Sequence, residues 1–237
     1  MLPVSDFAVI IPVFNHERRV AAVIRQALAL KVPVFVVDDG STDGTSAIID
    51  AVAGITVLRH TENLGKGAAL LTGFKAAAHT AAWAVTIDAD GQHNPADALN
   101  LLQARPVGQR CIIVGKRQGM TAGHVPWTSK FGRKFSNFWV WVSGGPWLDD
   151  SQSGFRLYPI PEVLNLGVRA RRFQFEVEVI VKARQHHLPV FEVPVQVIYQ
   201  RGAERVSHFR PFIDFLRNSE TFSRLIVSRI FRHSNSE

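Results

Sequence analysis

Two carboxylates spaced one residue apart, Asp88 and Asp90, follow the apolar run 83–87 and precede a glycine and two further polar residues. In an extended segment, side chains two positions apart point to the same side of the backbone, so these carboxylates can converge on one point. A hard divalent cation is the natural partner of such a pair, because adjacent carboxylates otherwise repel each other. A solvated turn at the end of a strand is the alternative, and the spacing alone leaves both interpretations open.

A nucleoside diphosphate-sugar is the ligand that suits these residues. A cation held by the aspartates would neutralise the diphosphate and make the nucleoside diphosphate a good leaving group. Asp39 is placed to hydrogen-bond a nucleobase or a ribose. Gly65 and Gly67 let the backbone approach the ligand beside Lys66, although a helix-opening turn explains the same two glycines equally well.

The elements that must position these residues alternate between strands and helices. Short apolar runs predict five buried strands, at 7–13, 34–37, 55–58, 83–87 and 111–114. Helical segments lie between them, the first of which has apolar residues at the spacing of a core-facing stripe. Asn94 before Pro95 predicts a capped helix start, and Ser41 or Asp43 is the predicted cap of the second helix. This order predicts an α/β fold, with a mostly parallel sheet covered by helices on both faces.

The polar clusters 15–17, 38–43 and 88–93 each follow directly after a predicted strand. Right-handed crossovers place the loops that follow parallel strands along one edge of the sheet. Ligands of such sheets bind at that edge, so we expect the three clusters to meet in one crevice.

The regular alternation stops beyond Gly115. Basic residues lie among aromatic residues from 116 to 141, and the segment 149–156 is polar and typical of a turn. A helix is predicted at 175–187 and an extended run at 190–199. No linker separates the two halves, so residues 1–210 are predicted to form one catalytic domain, followed by a basic amphipathic tail at 211–237.

The composition favours a globular protein with an anionic partner. The 237 residues carry a formal net charge of +7, and 46% of them are hydrophobic. The single cysteine, Cys111, lies in an apolar run and cannot form an intrachain disulfide, which fits a reducing cytoplasm. Neither a signal peptide nor a membrane span is expected. The charge alone would suit nucleic acid, but no recognised motif supports that partner.

Five segments in order resemble family 2 glycosyltransferases of the GT-A fold. They are 11–15 (IPVFN), 37–45 (VDDGSTDGT), 63–67 (NLGKG), 88–93 (DADGQH) and 153–156 (SGFR). Within the family, the chain is most similar to the branch of dolichyl- and polyprenyl-phosphate sugar transferases. The resemblance implies an inverting transfer of a sugar from a UDP- or GDP-sugar, with Mg²⁺ or Mn²⁺, to a membrane-borne acceptor. A polyprenyl phosphate is the expected acceptor; a hydroxyl of a lipid or glycan is the alternative, as is a non-catalytic nucleotide-sugar-binding homologue.

The resemblance also assigns site residues. The expected metal ligands are Asp88, Asp90 and Gln92. The positions expected to bind the nucleotide-sugar are Pro12, Asn15, Glu17, Asp39, Lys66, Asp88, Gln152, His208 and Arg210. The family often has Glu directly after the matching asparagine, whereas this chain has His16 and then Glu17, which leaves a direct contact between Glu17 and the nucleotide open.

The expected catalytic residues are Asp90, Arg117 and Asp150. Arg117 resembles a basic position that contacts the phosphates or the acceptor, and Asp150 and Gln152 precede the segment where this branch places its acceptor. A hydroxyl acceptor needs a base, and Asp150 is the candidate for that role. Asp150 is interpreted equally well as a simple turn residue. A phosphate acceptor is already anionic and needs little such help.

Many polyprenyl-phosphate transferases carry C-terminal membrane helices, and none is expected in this chain. The tail is instead either an interfacial helix on a membrane surface or a helix packed on the domain body, and the irregular apolar stripe slightly favours packing. The expected location is the cytoplasm, at the inner face of the cytoplasmic membrane if the tail binds lipid. A nucleotidyltransferase and a receiver domain are less consistent with the motifs, since 12–15 is not a glycine-rich loop and the third predicted strand ends in Arg59 and His60.

Overall fold

The computed structural model describes residues 5–118, 127–197 and 219–227. The strands are β1 (Ser5–Val13), β2 (Val34–Asp38), β3 (Thr56–Arg59), β4 (Ala81–Thr86), β5 (Ile112–Arg117), β6 (Arg156–Pro159) and β7 (Val190–Val195). The helices are α1 (Val20–Leu28), α2 (Thr45–Asp50), α3 (Lys66–Ala77), α4 (Ala98–Gln103), α5 (Trp127–Val142), α6 (Glu162–Asn165) and α7 (Phe175–Gln185). Residues 219–227 are also helical.

All seven strands form one sheet in the order β3-β2-β1-β4-β6-β5-β7. Six strands run in the same direction, and β6 is antiparallel to both of its neighbours. The mixed, mostly parallel sheet confirms the predicted fold class, and each of the five predicted strands has its counterpart. Strand β6 was not predicted, because its first residue closes a segment that has the composition of a turn.

Helices cover both faces of the sheet, as predicted. One core cluster takes side chains from α3, α5 and α7, and the other takes them from α1, α2 and α4. The predicted stripe of α1 is confirmed, because Val20, Val23, Ile24 and Ala27 are all buried. Apolar residues on both faces of a central strand such as β1 explain why its sequence is a continuous apolar run rather than an alternating one.

Side chains that accept hydrogen bonds from the first backbone N–H groups explain the start of two helices. The side chain of Asn94 accepts a hydrogen bond from the Ala96 amide, and Pro95 stands in the first turn of the 3₁₀ helix that leads into α4, which confirms the predicted cap. The residue that caps α2 is Gly44, so the prediction of Ser41 or Asp43 was wrong in position. Asp43 still helps to begin that helix, because its carboxylate accepts a hydrogen bond from the backbone N–H of Thr45 at 3.0 Å.

The described part of the C-terminal tail, 219–227, packs on the domain body. Phe222 and Leu225 are buried in the same cluster as α3 and α7, and Phe222 stacks on Trp139. Arg224 donates to Glu178 at 2.9 Å, and Glu178 is fully buried within α7. None of the described helices is both long and apolar enough to cross a bilayer. The division into a domain at 1–210 and a tail at 211–237 stays a prediction.

Candidate active site

Asp88 and Asp90 lie directly beyond the end of β4, as the sequence predicts. The Lys66 ammonium, from the first residue of α3, lies 2.6 Å from Asp88 Oδ1 and 2.5 Å from Glu176 Oε1 of α7. One buried cation therefore bridges two carboxylates from different parts of the chain. We call Lys66, Asp88 and Glu176 the ion triad.

The ion triad and its neighbour Asp90 differ in their titration. Burial alone would raise the pKa of Asp88, but the Lys66 ammonium outweighs it and lowers that pKa. Burial likewise opposes the charge of Lys66, yet its two carboxylate partners raise its pKa above the ordinary value. Asp90 behaves in the opposite way, because burial and the charge of Asp88 raise its pKa to about 6. Negative charge at this edge of the sheet is therefore incompletely compensated.

A divalent cation fits this donor set. Mg²⁺ is commonly bound through one or two carboxylates together with substrate phosphates and water. Asp88 and Asp90 supply two carboxylates, and the raised pKa of Asp90 reflects a crowding of charge that a cation would relieve. Within 5–118, 127–197 and 219–227 no group of three acidic, histidine or cysteine side chains could complete a metal site. The remaining ligands would therefore come from the diphosphate, from water or from the side chain of Gln92, whose backbone N–H donates to Asp90 Oδ1 at 3.0 Å.

The close surroundings of position 154 explain why the segment before β6 has a glycine there. A Cβ there would lie 2.5 Å from Lys66 Nζ, 2.6 Å from Asp88 Oδ2 and 2.9 Å from Glu176 Oε1. The backbone of residue 154 therefore forms a wall of the ion triad, and no side chain fits. The fully buried Arg156 shapes this loop, since its guanidinium donates to the backbone carbonyls of Ser151, Ser153 and Glu176.

Arg117 and Asp150 form a second buried ion pair. Arg117 Nε and Nη2 each lie 2.8 Å from one oxygen of the Asp150 carboxylate, and the Arg117 amide also donates to it. Burial would raise the pKa of Asp150, but the bonds from Arg117 outweigh this effect and lower it. Both oxygens of Asp150 are thus engaged and weakly basic, so Asp150 would act as a base only if Arg117 moved away. Gln152 lies in the adjacent turn and is half-buried.

At the other end of the edge, Asn15 and Glu17 bind the loop that follows β2. Asn15 adopts a left-handed backbone conformation, and its side-chain oxygen accepts the Thr42 amide at 2.8 Å. Glu17 Oε2 accepts the Gly44 amide at 3.0 Å. Asparagine tolerates this conformation better than most residues, which explains its place here. Asn15 and Glu17 therefore both hold the loop after β2 in place, and their contact with a nucleotide stays a prediction.

Asp39 is buried and fixes the start of α3. Its carboxylate accepts the amides of Leu64 and Gly65 at 3.0 and 2.8 Å, and His60 Nδ1 lies 2.7 Å from Oδ1. Pro12 is buried in β1, in register with Val37 of β2. Asp39 therefore connects the end of β2 to the turn that presents Lys66.

The glycines on either side of Lys66 approach protein backbone. A Cβ at Gly65 would lie 2.6 Å from the Arg171 carbonyl, and one at Gly67 would lie 2.7 Å from the Ala170 carbonyl. Their small size lets the start of α3 dock on the segment that leads into α7. This docking brings Lys66 and Glu176 together.

Two residues of the site had no role predicted from the sequence. Glu176 is one, and its signal is a carboxylate between Phe175 and Val177 in a run of buried residues. His93 is the other: its ring stacks on Phe155 at 5.0 Å, and burial lowers its pKa to about 4, so that it stays neutral at pH 7. His208 and Arg210, which were expected near the donor phosphates, lie outside the described residues.

Comparisons with known proteins agree with this geometry. The family model described as Glycosyl transferase family 2 matches residues 8–140. The chain is 30% identical over 234 residues to a UDP-N-acetylglucosamine–dolichyl-phosphate N-acetylglucosaminyltransferase of Methanococcus voltae, covering 87% of this chain and 93% of the relative. It is also 30% identical over 210 residues to a polyprenol monophosphomannose synthase of Mycolicibacterium smegmatis, covering 81% and 77%. Among solved structures, S. aureus TarS 1–349 has a TM-score of 0.51 at 19% identity, over 74% of this chain and 55% of that one, which is a likeness of fold.

Proposed function

Because the chain belongs to glycosyl transferase family 2, we propose that it transfers a sugar from a UDP- or GDP-sugar to a polyprenyl phosphate at the edge of the sheet that holds Asp88 and Asp90. The protein is a glycosyltransferase with the GT-A fold. Two relatives that match most of the chain carry names that include dolichyl phosphate and polyprenol monophosphomannose. These names support a lipid phosphate as the acceptor.

The nucleotide occupies the end of the crevice bordered by Asn15 and the loop after β2. Asn15 and Glu17 hold this loop, and Asp39 holds the turn before α3, so the walls are fixed before the donor arrives. Fixed donors and acceptors need little reorganisation on binding. Pro12 completes this side at the end of β1.

The diphosphate lies towards Asp88 and Asp90. These two carboxylates, with Gln92, would hold Mg²⁺ or Mn²⁺, which supplies positive charge for the departing nucleoside diphosphate. Lys66 fixes the Asp88 carboxylate at 2.6 Å, so this ligand is oriented in advance. Arg117 is held by Asp150, and it presents its charge to the side of the crevice where the acceptor binds.

The Arg117–Asp150 pair is the observation that favours a phosphate acceptor. A hydroxyl acceptor requires a base, and the residue expected for that role has both oxygens bound to a guanidinium and a lowered pKa. A phosphate monoester arrives as an anion and needs no proton removed. Its oxygen forms the new bond to the anomeric carbon as the bond to the diphosphate oxygen breaks on the opposite face, which inverts the configuration.

The experiment combines donor binding with transfer. A panel of UDP- and GDP-sugars is measured by thermal shift with Mg²⁺, with Mn²⁺ and with EDTA, and the donor that binds is then offered polyprenyl phosphate or polyprenol. We expect a metal-dependent rise in melting temperature and transfer to the phosphate alone. Equal stabilisation in EDTA would refute the metal assignment, and transfer to polyprenol alone would refute the acceptor.

A matched pair of variants locates the chemistry. Asp90→Asn keeps the shape of the side chain and removes its charge, so transfer should be lost while the fold stays intact. Asp6→Asn is the control, because Asp6 forms an exposed ion pair with Arg105 at the start of β1, the end of the strand opposite to the crevice. Retained turnover by Asp90→Asn would place the chemistry elsewhere.

A further inference from the structure

The outer face of α5 and the turn after it expose three large aromatic side chains. Phe138, Trp141 and Trp147 are 46%, 51% and 64% exposed. Their rings touch in sequence, with 6.3 Å between the centroids of Phe138 and Trp141 and 6.1 Å between those of Trp141 and Trp147. We call these three residues the aromatic patch. Contiguous exposed aromatic surface of this kind commonly marks an interaction site.

The aromatic patch cannot be buried by a rotation of α5, because the opposite face of the helix is packed in the core and hydrogen-bonded to the following loop. Val140 is fully buried in the core. Asn137 donates to the Asp149 carbonyl at 2.7 Å and accepts the Ser151 amide at 3.0 Å. These bonds hold the loop on both sides of Asp150. The aromatic patch is thus rigidly joined to the acceptor side of the crevice.

Two basic residues lie beside the aromatic patch: Lys134 stands one helical turn before Phe138, and Arg184 lines the same cavity as Trp141. The sequence of α5 contains Lys130, Arg133 and Lys134 and has neither Asp nor Glu. Lys134, Phe138 and Trp141 follow the i, i+4, i+7 spacing of one helical stripe. A cavity of about 400 Å³ adjoins the stripe and is lined by Trp141, Val142, Gly144, Gly145 and Arg184. Aromatic rings beside basic side chains are typical of surfaces that lie in the headgroup region of a bilayer.

The geometry points to the aromatic patch as a docking surface for an anionic phospholipid bilayer, with Trp141 and Trp147 entering the headgroup region and Arg184 and Lys134 binding lipid phosphates. The net charge of +7 is complementary to such a membrane. This inference rests on the proposed function in one respect, because a polyprenyl phosphate acceptor lies in a bilayer. Docking by α5 brings the loop at Asp150 to the surface where that acceptor is found.

Vesicle binding tests the docking surface without any acceptor. The full chain is sedimented with vesicles of phosphatidylcholine alone or of phosphatidylcholine mixed with phosphatidylglycerol, and tryptophan emission is recorded with brominated lipids. We expect binding to the anionic vesicles and quenching of emission. The double variant Trp141→Gln/Trp147→Gln should bind at least about tenfold more weakly, since it removes two aromatic anchors. Arg184→Gln should weaken binding to the anionic vesicles about fivefold.

A matched control is available on the other face of the sheet. Leu99 and Val107 are 47% and 104% exposed, and α4 packs on the core cluster opposite to that of α5. Leu99→Gln/Val107→Gln should bind vesicles like the wild type. All of the substituted side chains are exposed, so melting temperatures should change little and the variants should fold.

Three outcomes would overturn the docking surface. The first is that the full chain fails to bind anionic vesicles. The second is that the tryptophan double variant retains full binding, which would assign the membrane contact to the tail 211–237. The third is a dimer, seen by light scattering, that the tryptophan substitutions dissociate, because the aromatic patch would then join two copies of the chain. Donor binding, measured by thermal shift, does not depend on the aromatic patch. A chain that shows no thermal shift with any donor would therefore count against the proposed function alone.

Discussion

Replacing Gly154 by alanine tests whether the ion triad controls the site. The added methyl carbon would lie 2.5 Å from Lys66 Nζ and 2.6 Å from Asp88 Oδ2, whereas ordinary van der Waals contact begins at 3.4 Å. Each of these atoms must therefore retreat by about 1 Å. Lys66 is flexible and would move easily by itself, but it is bonded to both Asp88 and Glu176, and all three crowd the new methyl group.

The expected magnitude separates stability from activity. Overpacking a closed site costs about 1–3 kcal/mol, which in a chain of this size lowers the melting temperature by about 2–12 °C. A displacement of 1 Å in an aligned group can reduce kcat/KM about a hundredfold. Gly154→Ala should therefore fold, melt a few degrees earlier and lose most of its transfer activity.

Melting curves and initial rates with a saturating donor measure both effects, and Gly132→Ala is the stability control. A Cβ at Gly132 would meet nothing within 4 Å, so alanine in α5 should stabilise the fold by about 0.5–1 kcal/mol. Wild-type kcat/KM in Gly154→Ala would refute the reasoning. An unchanged melting temperature would refute it as well, because three polar atoms lie within 3 Å of the added methyl carbon and cannot be displaced without cost.

Three further predictions concern the buried ion pairs. Glu176→Gln removes one of the two carboxylates that hold Lys66, while Asp88 remains as its partner, so the free energy of unfolding should fall by about 1–3 kcal/mol in urea titrations; a loss below about 1 kcal/mol would show that the pair behaves like a surface pair. Burial opposes the charge of Asp150, but Arg117 lowers its pKa, so its stabilisation is present above about pH 4 and is lost as the pH falls through the lowered pKa. Asp150→Asn should accordingly melt earlier than the wild type at pH 7, and this difference should shrink as the pH falls below about 4; a difference that stays constant in acid would contradict this account. Arg224→Met leaves a fully buried glutamate without its cation and should cost about 1–3 kcal/mol, whereas unchanged melting would show that the helix 219–227 contributes little to the fold.

The sequence predicts the first part of the fold well because its signals are local. Each of the five predicted strands is a short apolar run, and four of these runs are buried in the sheet, whereas β3 lies at the edge of the sheet and is only half-buried or exposed. Strand β6 lacks such a signal. It begins with Arg156, a charged residue that is fully buried because three carbonyls from other positions accept its guanidinium. Those partners come from the fold, so a pattern of residue types does not contain them.

The convergence of the site could be predicted for the same reason, since parallel strands bring their following loops to one edge. The contacts that each side chain of the site makes could not be predicted from the sequence. Lys66 and Glu176 are 110 positions apart, and their contact requires Gly65 and Gly67 to dock against the segment before α7. The sequence therefore predicts Lys66 as a group near the ligand, and the structure shows that it bridges Asp88 and Glu176.

The pairing of cations with buried carboxylates would allow this edge to receive the proposed anionic donor and anionic acceptor together. Lys66 and Arg117 both lower the pKa of Asp90, but neither cation serves Asp90 alone. Lys66 also binds Asp88 and Glu176, and Arg117 binds Asp150 through two bonds of 2.8 Å. The charge of Asp88 and Asp90 consequently stays incompletely compensated, as the raised pKa of Asp90 indicates, and a cation brought by a diphosphate finds two oriented carboxylates.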